Sequence, residues 1–84
     1  MKKLYLASLL FEGEAQDSLF DKREDAEKHC LELVKECMKD ELNVAIGLAE
    51  ITFDANANFT EKGFYDGTFE DYDLDTIMTI EITI

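Results

Sequence analysis

Helical periodicity is confined to one segment of this chain, and this limits the fold to a sheet covered by one main helix. Between residues 21 and 40, apolar side chains recur every three or four positions and form a single stripe. The stripe consists of Ala26, Cys30, Leu33, Val34, Cys37 and Met38. Asp21 followed by Glu24 is typical of a helix start in which Asp21 is the N-cap. The other apolar segments must then be strands or loops.

Three of those segments have the character of β-strands. Residues 4–11 are apolar at nearly every position, which favours a central strand covered on both faces. Residues 44–53 also have the character of a strand, and large and small apolar side chains alternate over residues 44–49. Residues 76–84 alternate apolar with polar side chains, which indicates a strand with one buried face and one wet face.

Residues 59–75 are ambiguous from the sequence. Asp66-Gly67 favours a hairpin turn between two arms, Phe59–Tyr65 and Thr68–Leu74, and a long loop is the alternative. With 84 residues, the chain predicts a single domain over residues 1–84. The fold class is α+β: two layers, with a mostly antiparallel sheet of three or four strands and one helix packed on one face. The expected element order is β-α-β-β or β-α-β-β-β.

The charge of the chain restricts its partners. Its formal net charge is −12, beyond the magnitude of roughly 2–8 usual for small domains. Residues 43–84 carry nine acidic residues and one base, Lys62. Direct binding to nucleic acid or to an anionic membrane needs a basic patch, so we expect neither. No segment approaches the roughly 20 apolar residues of a membrane span, and we expect a cytoplasmic protein.

The reactive residues do not indicate catalysis or metal binding. Cys30 and Cys37 lie about 10.5 Å apart on one helix, too far for a disulfide, and are expected to be buried thiols. His29 has no nucleophile or orienting partner near it in the sequence. Asp54–Asn58 and Asp71–Asp75 resemble the start of a calcium loop, but both lack its sixth-position glycine and twelfth-position glutamate. We therefore expect no enzyme activity, no cofactor and no metal.

An acidic and aromatic segment, FYDGTFEDYDLD, is the candidate binding site. Aromatic anchors beside fixed anions suit a basic, partly apolar groove on a partner. In an extended chain, Asp71, Asp73 and Asp75 share one face at intervals of about 6.6 Å. The alternative is a solvated acidic hairpin whose aromatic residues complete a thin core. The predicted partner-binding residues are Phe64, Tyr65, Asp66, Phe69, Glu70, Asp71, Tyr72, Asp73 and Asp75.

In size, charge and layout the chain resembles the small acidic inhibitors of phages and mobile elements. That class includes anti-CRISPR proteins, anti-restriction DNA mimics and uracil-DNA glycosylase inhibitors. The resemblance implies an inhibitor that acts in the cytoplasm of a bacterial host. Its carboxylates would replace phosphates on the basic surface of a nucleic-acid-binding protein, such as a nuclease or defence complex. The alternative is a non-enzymatic interaction module, or a homodimeric adaptor that pairs through a free sheet edge.

Overall fold

The computed structural model describes all 84 residues and confirms the α+β class. Its elements, in chain order, are β1 (Lys2–Phe11), β2 (Glu14–Phe20), α1 (Arg23–Lys39), β3 (Val44–Phe53), α2 (Glu61–Asp66) and β4 (Tyr72–Ile82). The strands form one sheet in the order β2-β1-β3-β4, and every neighbouring pair is antiparallel. Neither α1 nor α2 has the length and apolar character that a membrane-spanning helix requires.

The strand β2 was not predicted, so the element order is β-β-α-β-α-β. β1 and β2 form a hairpin in which Phe11 pairs with Glu14 across the two-residue turn Glu12-Gly13. Both turn residues have positive φ, 53° for Glu12 and 81° for Gly13, as a type I′ hairpin turn requires. The apolar run of residues 4–11 predicted one strand, with no partner strand directly after it. β2 was missed because the first four residues of that edge strand are exposed and mostly polar.

The helix α1 packs across β1 and β3 and buries the main core. Both thiols are buried as expected, and the Cys30 thiol lies 3.7 Å from the carbonyl oxygen of Gly47. Burial raises the pKa of Cys30 and of Cys37, and neighbouring carboxylates raise both further. The predicted Asp21 cap is wrong: the N-cap is Lys22, with no side-chain hydrogen bond. The stripe of apolar residues therefore determines this helix more than its cap does.

The opposite face of the sheet carries a second, smaller core. Leu4, Leu6, Ala49, Ile51 and Phe53 form it, and aromatic residues from the segment after β3 pack over them. Covered on both faces, β1 is the central strand that its sequence indicated.

The helix α2 overturns both interpretations of residues 59–75. Thr60 caps α2 through a hydrogen bond that its hydroxyl accepts from the Gly63 amide at 2.9 Å. Gly67, with φ 80°, ends it in the left-handed conformation. The Asp66-Gly67 step is thus a helix end and not a hairpin turn, because a glycine with positive φ serves either structure.

The last strand is longer than its alternating pattern indicated. β4 begins at Tyr72, four residues before the predicted start. It contains a bulge at Ile77: Leu48 pairs with Met78 and Ala49 pairs with Thr76, so Ile77 has no partner on β3. A bulge moves the side chains that follow it to the other face. Before the bulge the even-numbered side chains face α2, and after it they face α1. Because of this change of face, β4 has no single continuous alternation, and the sequence pattern indicated only its second half.

Candidate acidic interface

The aromatic residues of the predicted site belong largely to the second core. Phe64, Phe69 and Tyr72 are half-buried and pack around Phe53 and Phe59. The rings of Phe53 and Phe59 stack at a centroid distance of 4.5 Å, and Phe69 meets Phe59 edge to face at 5.1 Å. These contacts hold α2 and the chain after it on the sheet. The acidic residues of the segment therefore lie next to packed aromatic residues, which we call the packed aromatic base.

An open groove at one end of the sheet brings four carboxylates together. It lies where β3 ends and β4 begins, since Phe53 pairs with Tyr72 there. The groove has a volume of about 450 Å³. Four carboxylates line it, and no lysine or arginine does. The lining residues are Met1, Thr52, Phe53, Asp54, Glu70, Asp71, Tyr72 and Asp73. We call this feature the end groove.

A short acidic row continues from the end groove along β4. Asp73 and Asp75 lie on the same face of β4 because they pair with Thr52 and Glu50, two residues apart on β3. The Glu50–Asp75 pair sets two like charges opposite each other, which destabilises a sheet. Lys3 relieves part of this repulsion, since its ammonium lies 3.2 Å from the Glu50 carboxylate. Asp75 itself has no ion-pair partner.

Two predicted residues lie apart from the end groove. Asp66 ends α2, on the opposite side of the sheet from Asp73, and its carboxylate accepts a hydrogen bond from the Thr68 amide at 3.0 Å. Tyr65 is 46% exposed. Burial raises the pKa of Tyr65, the carboxylates of Glu61 and Asp17 raise it further, and a hydrogen bond with the Leu19 backbone opposes them. These contacts orient Tyr65 towards β2, away from the groove.

Two acidic residues of the interface were not predicted as part of it. Asp54 follows the last residue of β3, and Glu50 lies within that strand. Each comes near the predicted residues only because β3 pairs antiparallel with the first half of β4. A prediction that paired residues 44–53 with residues 72–76 would have placed both Asp54 and Glu50 beside the predicted residues.

The segments that resemble calcium loops have other structures. Asp54 begins a turn in which its carboxylate accepts a hydrogen bond from the Asn56 amide at 2.9 Å. Asp73 and Asp75 belong to an extended strand, which spreads their carboxylates along a line. A calcium loop instead curls its alternating ligands around one point.

Charge is distributed differently on α1 and on the end groove. On α1 the acidic residues alternate with four bases, and Arg23 and Glu27 form an ion pair of 2.7 Å. In the end groove the carboxylates are exposed and have no ion-pair partner. An exposed anionic groove with aromatic walls can accept lysine or arginine side chains, whose charges it neutralises and whose stems pack on the rings.

Comparison with protein-family models, curated proteins and solved structures found no match to this chain.

Proposed function

We propose that this protein is a non-enzymatic inhibitor that binds a basic nucleic-acid-binding protein, such as a CRISPR or restriction nuclease. Its carboxylates would occupy the partner's basic surface and exclude nucleic acid from it. The observation that carries the proposal is the end groove, where Asp54, Glu70, Asp71 and Asp73 come together with no lysine or arginine in the lining. The net charge of −12 supports it, because the whole molecule then attracts a basic partner.

The expected mechanism is electrostatic capture followed by occlusion. Long-range attraction accelerates encounter with a cationic surface, and it weakens as salt rises because the Debye length falls to about 8 Å at physiological ionic strength. At contact, arginine or lysine side chains enter the end groove beside Tyr72 and Phe53. The packed aromatic base holds the backbone that carries the carboxylates before binding, so the conformational entropy lost on association comes mainly from side chains.

A competition assay tests the proposal. Purified bacterial nucleases, including CRISPR effectors and restriction enzymes, are incubated with labelled DNA, and the protein is titrated in at low and at physiological salt. We expect DNA to be displaced from at least one nuclease, more readily at low salt. Failure to bind any basic nucleic-acid-binding protein at low salt would contradict the proposal.

A matched pair of variants assigns any inhibition to the end groove. The groove variant carries Glu70→Gln, Asp71→Asn and Asp73→Asn. The control carries Glu14→Gln, Glu32→Gln and Glu36→Gln, which are exposed carboxylates without ion pairs on β2 and α1. Both lose three negative charges. We expect inhibition to weaken by about tenfold or more in the groove variant only, as for desolvated charge pairs; equal weakening would show that net charge alone acts.

Pairing through the sheet edge is the weaker alternative. The sheet has two free edges, β2 and β4. The bulge at Ile77 bends β4, where Asp73, Asp75 and Glu81 repel an identical strand, and Glu14 and Asp17 do so on β2. Sedimentation distinguishes the two: a dimer that persists at high salt would favour a homodimeric adaptor, and a monomer favours the inhibitor.

A further inference from the structure

Part of the sheet face opposite α1 has no covering layer. α2 and the aromatic residues cover the end of this face near Leu4 and Ile51. Further along the strands a trough of about 240 Å³ remains open, and its walls are largely apolar. Its lining residues are Leu6, Ser8, Gly47, Leu48, Ala49, Leu74, Thr76 and Thr79. Beside it, Leu10 is 48% exposed, and Leu74 on its wall is 45% exposed. We call this feature the open trough.

The strand register shows that the floor of the open trough is made of small side chains. Asp17, Ser8, Gly47 and Thr79 pair in turn across the four strands, so they form one row on this face. The next row, which lies just outside the residues that line the trough, is Ala15, Leu10, Ala45 and Glu81. A floor with glycine, serine and alanine at its centre leaves space for a rounded element to approach the backbone closely. The other face of the same strands already carries such an element, α1.

The charged residues around the open trough are acidic, which favours a basic partner. Asp17 and Glu81 lie on the two edge strands, one on each side of the floor, and both are exposed. Neither row contains a lysine or an arginine. A second copy that met this face with its own open trough would bring the carboxylates of Asp17 and Glu81 against these rims. An amphipathic helix with lysine or arginine beside its apolar stripe would bury the stripe and pair with the rims.

We infer that the open trough docks a basic amphipathic helix of a partner protein. The helix lies in the uncovered part of the face beside α2 and completes a third layer over β1 and β3. The apolar stripe contacts Leu10 and Leu74, and basic residues on its two flanks meet Asp17 and Glu81. This surface is separate from the end groove and does not depend on nucleic-acid mimicry.

A synthetic helical peptide of leucine and lysine, about 18 residues and 27 Å long, tests the inference. A peptide with glutamate in place of lysine is its control. Gly47→Ile fills the trough, and at this position a Cβ meets nothing closer than the Met78 carbonyl oxygen at 4.0 Å. We expect Gly47→Ile to weaken binding of the lysine peptide by about tenfold or more, measured by calorimetry. Should this variant fail to fold, Thr79→Tyr blocks the same row from an exposed edge-strand position.

A second pair of variants separates the trough from the end groove. Asp17→Asn with Glu81→Gln removes the rim charges and is expected to weaken binding about threefold at low salt. The groove variant is expected to bind the lysine peptide within about twofold of the wild type. Thus a wild-type protein that inhibits no nuclease but binds the lysine peptide would contradict only the proposed function.

Three results would overturn the inference. The first is equal binding of the lysine peptide to the wild type and to the folded trough-blocking variant. The second is equal binding of the lysine and glutamate peptides. The third is a wild-type dimer in sedimentation that Gly47→Ile converts to a monomer, because a second copy would then be the occupant.

Discussion

Gly67 shows how one residue determines the local course of the chain. It ends α2 with φ 80°, and its amide donates a hydrogen bond to the Phe64 carbonyl at 3.4 Å. A Cβ at this position would meet no atom within 4 Å, so only its backbone conformation restricts substitution. The chain reverses here and leads Phe69 back onto the second core.

Replacing Gly67 by alanine therefore tests the backbone alone. We expect Gly67→Ala to lower the free energy of unfolding by about 1 kcal/mol, because left-handed φ disfavours a residue with a Cβ. Gly67→Asn is the control and should lose less, since asparagine adopts this conformation more readily. Urea unfolding measures both, and an alanine variant as stable as the wild type would contradict the assigned conformation.

Single residues of the candidate site were predicted with mixed success. The register bears out that Asp73 and Asp75 share a face of one strand, but Asp71, predicted on the same face, lies before β4 begins at Tyr72. The aromatic residues were expected to act as anchors or as core, and Phe64, Phe69 and Tyr72 pack as core. Sequence alone cannot choose between these roles, because a half-buried ring serves both. Asp66 was placed beside the other acids along the chain, but α2 carries it to the other side of the sheet.

At the scale of elements, the helix and strands with strong periodicity were predictable, whereas the short helix α2 and the bulge in β4 were not. β3 occupies the predicted residues 44–53, and α1 lies within the predicted 21–40. α2 has only six residues, too few for an apolar stripe, and its signals are the flanking Thr60 and Gly67. The bulge in β4 leaves no mark in the sequence pattern except the change of face at Ile77.

The end of β4 should be essential for the fold. Ile80 and Ile82 pack against the main core, and Val44 and Ile46 on β3 pair with them. Removing residues 80–84 is expected to eliminate cooperative unfolding, because each of the two partly buried isoleucines contributes up to about 1.5–3 kcal/mol to a marginal total. Removing residues 83–84 is the control. It takes away the hydrogen bond from the Ile84 amide to Asn43 (2.7 Å), worth about 1 kcal/mol. Circular dichroism during heating distinguishes the two truncations.

At the scale of the whole molecule, charge opposes folding and favours association. A surplus of twelve negative charges on a chain of 84 residues gives repulsion that only two ion pairs relieve. The two apolar cores must offset this repulsion. The sign and size of the net charge were evident in the sequence. The grouping of four carboxylates at the end groove was not evident, because it requires the pairing of β3 with β4.

The repulsion predicts that salt stabilises the free protein. Raising sodium chloride from about 0.01 M to 0.15 M shortens the Debye length from about 30 Å to 8 Å and should raise the midpoint of thermal unfolding by several degrees. The groove variant, with three fewer negative charges, should respond less. A midpoint that falls or stays constant with salt in the wild type would contradict this account.

The most direct test of the end groove is to map where a basic probe binds. A short oligo-arginine peptide, which has no apolar stripe, is titrated at low salt into isotopically labelled protein while amide chemical shifts are followed. We predict that the largest shifts occur at Asp54 and at residues 70–73, and that added salt reverses them. Largest shifts on the outer face of α1, or equal shifts over all acidic residues, would contradict the assignment of the end groove as the binding surface.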